Sequence, residues 1–250
     1  ERDIEALRTM FTRYGMNQAL RDLDGAASDV PTPRTGKTSA RGASFVTAPD
    51  PSAAPDAALS AAGHYETVST PAQLDAWIAK LQAADEFAFD TETDSLDPMQ
   101  ANLVGMSFCV LPGEACYLPL AHDYPGVPAQ LDRGATLAAL APLFADKAKR
   151  KLGQHGKYDL HVLRRHGLLV EGYADDTMLE SFVLESGRTR HDMDSLATRY
   201  LGYTTIKYEE VAGKGSKKIL FSQVALDDAT EYAAEDADVT LRLHRTLKPR

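Results

Sequence analysis

The stretch Phe87-Ala88-Phe89-Asp90-Thr91-Glu92-Thr93-Asp94-Ser95-Leu96 turns from apolar to acidic within the length of one strand. Successive side chains of a strand point to opposite faces, so Asp90 and Glu92 project to the same side of a sheet. Two carboxylates packed at a strand end repel each other unless they are protonated or joined by a cation. Hard oxygen ligands of this kind suit Mg²⁺ or Mn²⁺. On this stretch alone a solvated strand-to-turn junction is the simpler reading, and the acids gain weight only from the rest of the chain.

Upstream, Thr70-Pro71-Ala72-Gln73 has the form of a capping box with proline at the first helical position. Leu74, Trp77, Ile78 and Leu81 follow at helical spacing and predict a helix that leads into the strand. Downstream, Leu103 to Val110 and Cys116 to Leu120 predict two more strands joined by a Pro-Gly turn. Three strands in succession imply an antiparallel meander, not a doubly wound nucleotide fold. Helices are predicted over Leu131–Ala145, Gly156–His166, Thr177–Glu185 and Asp192–Tyr200, with short strands at Lys151–Gln154 and Tyr173–Asp176. Asp176, just ahead of a helix, reads as its N-cap; Asp94 and Asp97 read as turn residues. His155, His161 and His166 lack zinc-ligand spacing, and packing or surface roles are expected for them.

The last predicted helix, Leu226–Leu247, carries Ala229, Tyr232, Ala233, Asp236, Val239, Thr240, Leu243 and Leu247 on one stripe. An aspartate in the middle of a core-facing stripe is costly unless paired or bound to metal. Gly213-Lys214-Gly215-Ser216-Lys217-Lys218 lacks the four-residue spacer of a phosphate-binding loop and reads as a solvated basic loop.

The chain has 250 residues, 44% of them hydrophobic, which is enough for a sizeable core. A net charge of −9 argues against a duplex binder that relies on a broad basic surface, though not against a narrow metal-loaded pocket on nucleic acid. Cys109 and Cys116 flank the Pro-Gly turn, where a disulfide is conceivable. With no secretory leader pattern and no apolar run of membrane-spanning length, reduced thiols and a cytoplasmic protein are expected. Ile4, Leu7, Met10, Phe11 and Tyr14 sit at helical spacing, with Met16, Leu20 and Leu23 beyond. Residues 25–63 are rich in Ala, Ser, Thr, Pro, Asp and Gly and read as a flexible linker. Glu1 stands where an initiator methionine would, in what reads as mid-helix, so a piece of a longer protein is expected.

The acids that stand where acids are costly are Asp90, Glu92, Asp236 and Asp159, the last in Gly153-Gln-His-Gly-Lys-Tyr-Asp159. With Tyr232-Ala-Ala-Glu-Asp236 they form three motifs in order, and residues 64–250 resemble the 3′→5′ exonuclease domain of bacterial DNA polymerase I. Ala174-Asp-Asp-Thr-Met-Leu-Glu-Ser181 and Arg190-His-Asp-Met-Asp-Ser-Leu196 also read like that family, one of the DEDD exonucleases. The resemblance implies an α/β, ribonuclease H-like mixed sheet flanked by helices. It implies catalysis by Asp90, Glu92, Asp159, Tyr232 and Asp236, in the tyrosine subgroup. Asp90, Glu92 and Asp236 would hold one divalent ion; Asp90 and Asp159, directly or through water, would hold a second. The ions would be Mg²⁺ or Mn²⁺, with Zn²⁺ admissible at one site. Two ions roughly 3.5 to 4 Å apart steady both the attacking and leaving oxygens of an in-line phosphoryl displacement.

By the same resemblance Thr93, Leu96, Gln154, His155, Tyr158, Arg190 and Tyr208 would meet a single-stranded or frayed 3′ end of DNA. Leu96 and Tyr208 would pack on terminal bases, which suits removal of any mispaired end. His155 stands where asparagine is usual in the family, and Tyr208 where phenylalanine is. Residues 1–24 resemble the helical end of a preceding 5′ nuclease domain. A polymerase domain is expected in the same polypeptide, since no segment here offers a polymerising centre. Two rivals remain: a ribonuclease-D-like RNA 3′ exonuclease, and a non-catalytic module that binds strand ends.

Overall fold

The computed structural model describes residues 3–14, 16, 19–21, 23, 63–187 and 190–250. The stretch read as a linker lies, apart from Gly63, outside them. Strand β2 (Glu86–Thr93) is central to a six-stranded mixed sheet. It runs antiparallel to β3 (Leu103–Leu111), which pairs antiparallel with β4 (Glu114–Pro119), so the expected meander forms. On its other side β2 pairs in parallel with β5 (Arg150–Gly153), and β5 in parallel with β6 (Tyr173–Asp176). The far edge is β1 (His64–Thr67), parallel to β4.

Alternation along these strands divides the core. Phe87, Phe89, Met106, Phe108, Cys116 and Leu118 face one way and pack with helices α2 (Pro71–Ala83), α3 (Arg133–Ala145) and α4 (Lys157–Arg165). Phe144 of α3 takes edge-on contacts from Phe87, Phe89 and Phe108 at 5.3 to 6.2 Å, the spacing at which aromatic quadrupoles attract. Ala88, Cys109 and Ala115 face the other way, onto Ala234, Ala237 and Leu241 of the last helix. Cys109 and Cys116 therefore sit on adjacent strands but opposite faces, both free and buried, which removes the disulfide alternative.

The capping box of α2 is present: the Thr70 hydroxyl accepts from the Gln73 amide, and the Gln73 side chain accepts from the Thr70 backbone. Helix α1 (Ile4–Arg13) forms as its spacing predicts, with Asp3 as N-cap and no buried residue. Downstream come α5 (Thr177–Glu185), α6 (Met193–Leu196), α7 (Tyr208–Ala212) and the long α8 (Leu226–Leu247).

Two elements differ from expectation. The predicted helix Asp192–Tyr200 is one α turn followed by a π turn, Ala197–Leu201, ended by Gly202 in the left-handed region. The wider turn brings Leu196 and Leu201, five residues apart, into one cluster with Val239 and Leu243 of α8. Strand β1 was not expected, because His-Tyr-Glu-Thr carries no apolar run. It is held by pairing with β4, by Tyr65 donating to Asp238 at 2.9 Å, and by Thr67 bonding Thr230 at 2.7 Å.

Candidate active site

Helix α8 is enclosed on nearly every side, and Glu235, Asp236, Asp238, Arg242 and His244 are all buried in it. Most of these charges have evident partners. Asp238 takes two bonds from Arg242 at 2.8 Å, plus Tyr65 and the Gly113 amide. Glu235 accepts from the Tyr203 hydroxyl at 2.6 Å and the Ile206 amide at 2.7 Å. His244 meets Glu180 at 2.7 Å. Asp236 instead faces Asp90 and Glu92, with carboxylate oxygens of all three within 4.8 Å of one another.

These acids meet because Asp90 and Glu92 share with Ala88 the face of β2 that α8 covers. Small residues let the helix approach: Ala233, Ala234 and Ala237 on α8, Gly105 across from Glu92 on β3. A β-carbon at Gly105 would stand 2.1 Å from the Tyr117 hydroxyl, so the glycine makes room for that buried ring. A register shift just after Glu92, before Thr93 pairs with Leu103, interrupts the regular ladder at the cluster.

Burial pushes all three carboxyl groups above the ordinary carboxylate range, Asp90 to about 7. The charges adding to the rise at Glu92 and Asp236 are other carboxylates, Asp90 foremost. Such a donor set, all oxygen, buried and mutually repelling, fits a divalent cation. A carboxyl whose folded pKa is raised costs nothing while protonated and costs stability as pH climbs from its unfolded value toward its folded one. A divalent cation held there would remove that cost. The rise in Tm on adding Mg²⁺ is therefore expected to grow between about pH 4 and about pH 7. Differential scanning fluorimetry in chelator and in Mg²⁺ checks this; an increment that stays flat or shrinks over that span counts against the site.

Asp159, on the first turn of α4, is not in the tight cluster. It lies on the other side of the sheet, where it accepts a hydrogen bond from the Thr91 hydroxyl. It still raises the pKa of Glu92, and Asp90 raises its own, so its field reaches the cluster. The sequence expectation of four converging acids thus becomes three in one group and one adjacent, because Thr91, of opposite parity on β2, holds the fourth.

Tyr232, one turn before Asp236, packs edge-on with Tyr208 at 6.1 Å and against Phe221 at 5.9 Å. Burial first, then Asp236, Glu92 and Asp90, drive its ionisation far upward, so it is a phenol at any working pH. Tyr208 stacks on Phe221, and Lys218 lies 5.0 Å above the Tyr208 ring. Lys218 read as part of a solvated loop, and nothing in its local sequence signalled this placement. Leu96 is 93% exposed on a turn braced by Thr93, which bonds the Tyr158 hydroxyl at 2.5 Å. Tyr158 also donates to the Ser95 carbonyl.

Gln154 uses both ends of its amide within the protein, donating to the His191 carbonyl at 2.9 Å and accepting from Thr177. His155 adopts φ +59°, alone among the described non-glycine residues. That is a region asparagine also tolerates, which accounts for the residue usual at this place in the family. Its amide and that of Gly156 donate to Asp176, which also caps α5 through Met178 and Leu179. Arg190 is exposed and pairs with Asp192 at 2.9 Å.

The family model of the 3′-5′ exonuclease domain of family A DNA polymerases matches residues 65–250. The chain belongs to this exonuclease family. Over 185 residues it is 57% identical to DNA polymerase I of Pseudomonas aeruginosa, covering 73% of this chain and 20% of that protein. It is 43% identical over 203 residues to DNA polymerase I of Rhizobium leguminosarum, covering 74% and 20%. This exonuclease chain thus spans about a fifth of the length of these curated relatives. Among solved structures, Trypanosoma brucei RNase D superposes with a TM-score of 0.59 at 19% identity, over 73% of this chain and 64% of that one. At that identity the likeness speaks for the fold, a mixed sheet flanked by helices as expected.

A second group of possible ligands in the exonuclease domain, Asp175, Glu180 and His244, also has oxygens and nitrogens within 4.8 Å of one another. Its members have partners, though the buried Glu180 Oε2 has none. Asp175 pairs with Arg150 at 2.7 Å and with Lys248, while His244 lies between Glu180 and Glu86. The group ties β2, β5, β6, α5 and α8 together through ion pairs that reach the surface at Arg150 and Lys248. Among the described residues no helix is long and apolar enough to cross a membrane.

Proposed function

We propose that the Asp90, Glu92 and Asp236 cluster is the hydrolytic centre of a proofreading domain that removes single nucleotides from the 3′ end of DNA within a DNA polymerase I. The observation that carries this reading is the packing of three like charges from β2 and α8 against one another, Glu92 and Asp236 buried and Asp90 half-buried. Such an arrangement carries its full negative charge at neutral pH without cost only when cations join it. Bound divalent ions supply positive charge that steadies the attacking and leaving oxygens of phosphoryl displacement. Asp90, Glu92 and Asp236 would hold one; Asp90 and Asp159, directly or through water, would hold the other. Mg²⁺ or Mn²⁺ suits both places.

Glu92 accepts from the attacking water, and the Tyr232 hydroxyl orients it. As a phenol whose ionisation is suppressed, Tyr232 does not act as a free base. Tyr208 and the exposed Leu96 take the terminal bases between them, with Lys218 near the backbone phosphates. Thr93 and Tyr158 set the Leu96 turn. Gln154 and His155 shape the loop ahead of Asp159, and Arg190 meets the strand from the α6 side. A frayed mismatch reaches such a site more readily than a paired end because less base pairing opposes it.

A time course on a 3′-labelled mismatched primer, with and without Mg²⁺, tests the reading. Mg²⁺-dependent release of labelled mononucleotide, faster than from a matched primer, is expected. No release overturns the enzymatic reading, and preference for a matched RNA oligonucleotide moves the chain to the ribonuclease-D-like class. Tyr232→Phe is expected to slow release on the order of 10²-fold while leaving Mn²⁺ affinity nearly unchanged. Loss of metal binding in that variant would count against the water-orienting role.

A further inference from the structure

Ser107 on β3 lies directly across from Asp90 on β2 and from Tyr117 on β4. The three form a row on the face that α8 covers, continuing the alternation of Ala88 and Cys109. Ser107 is 0% exposed, and its hydroxyl has no hydrogen-bond partner. Buried polar groups are nearly always bonded, so this one calls for a cause.

The surroundings narrow it. The Tyr117 hydroxyl is directed elsewhere, toward Gly105 and His122 Nε2 at 2.8 Å. His122 Nδ1 faces the Val224 carbonyl at 3.1 Å and so carries the ring proton, which makes Nε2 the acceptor and Tyr117 the donor. Over the row α8 presents Ala233, Ala234 and Ala237, with Asp236 reaching toward Asp90 and Glu92. Of these carboxylates Asp90 is the one directly opposite Ser107, while Glu92 lies diagonally, opposite Gly105. Residues directly opposite in an antiparallel ladder have β-carbons about 4.5–5.5 Å apart, within reach of a hydroxyl-to-carboxylate bond after one rotation of the serine.

We propose that Ser107 is a positioning residue for the metal centre: its hydroxyl donates to the Asp90 carboxylate when that group serves as a ligand. The bond fixes which Asp90 oxygen is turned toward the cation. The proposal rests on the metal-dependent reading above and adds to it a residue outside the family's three acidic motifs. Ligand carboxylates are commonly oriented by such outer hydrogen bonds, whose loss weakens metal affinity roughly 10- to 100-fold.

The test is Mn²⁺ binding to the purified chain, without substrate, by electron paramagnetic resonance, comparing the wild type with Ser107→Ala. Ser107→Ala is expected to bind Mn²⁺ at least about tenfold more weakly. Its metal-free melting temperature should equal or exceed that of the wild type, since the variant only removes an unbonded hydroxyl. Equal Mn²⁺ affinity in the two proteins overturns the proposal and leaves the nuclease reading intact. A metal-free melting temperature that falls along with affinity assigns Ser107 to packing and also overturns it. A wild type that takes up no Mn²⁺ overturns the reading beneath.

Discussion

Asp90→Ala is expected to lower the rate of nucleotide release from a mismatched 3′ end by at least about 10³-fold, because metal-ion stabilisation supplies several kcal/mol and each 1.36 kcal/mol is tenfold. Asp90 is the acid with the most connections. It lies within ligand distance of Glu92 and Asp236, and it is the charge that acts most strongly on Asp159. Removing it would take the ligand shared by the two proposed ion positions from both. The same substitution takes one of several repelling charges out of a buried place, so the metal-free variant should melt no lower than the wild type at about pH 8. Loss of activity with retained stability is the expected pair of results. Activity within tenfold of the wild type would move the hydrolytic centre elsewhere.

Asp176→Ala is expected to cost about 3 kcal/mol of stability, which lowers Tm by roughly 10 °C in a domain of this size. One Asp176 oxygen accepts from His155, Met178 and Leu179 amides; the other accepts from the Gly156 amide at 2.9 Å and the Tyr173 hydroxyl at 2.9 Å. The side chain is therefore both the N-cap of α5 and the clamp on the loop that begins α4. Tyr173 reaches it because Gly153 and Gly156 lack β-carbons, which would stand 2.6 and 2.0 Å from its hydroxyl. Three residues past Gly156 comes Asp159, so activity should fall along with stability. Urea unfolding of the variant measures the first effect. A change under about 1 kcal/mol would show that the amides find other acceptors.

The acids of β2 were legible because carboxylates interrupt an apolar run, and the same logic marked Asp236 on a core stripe. That logic could not separate Asp236 from Glu235 and Asp238, which are equally buried. What separates them is partnership: Arg242, Tyr65 and Tyr203 come from distant sequence or from the helix's next turn, and spacing does not announce them. Asp159 was found through its motif, yet its bond to Thr91 depends on which face α4 packs against. The meander and α2 followed from turn and capping residues. Strand β1, with one paired edge and no apolar run, and the π turn at Ala197–Leu201 gave no local sign. Ser107 was invisible for a simpler reason: a serine in a strand is ordinary until its neighbours are known.

The closing helix binds the opening strand: Tyr65 bonds Asp238, 173 positions later, and Thr67 bonds Thr230. Contacts so far apart along the chain raise the contact order, which slows folding. On a ribosome, the sheet would wait with one face uncovered until residue 247 had emerged, and Tyr232 and Asp236 arrive with that cover. A polypeptide halted before this helix therefore lacks the third acid of the proposed centre.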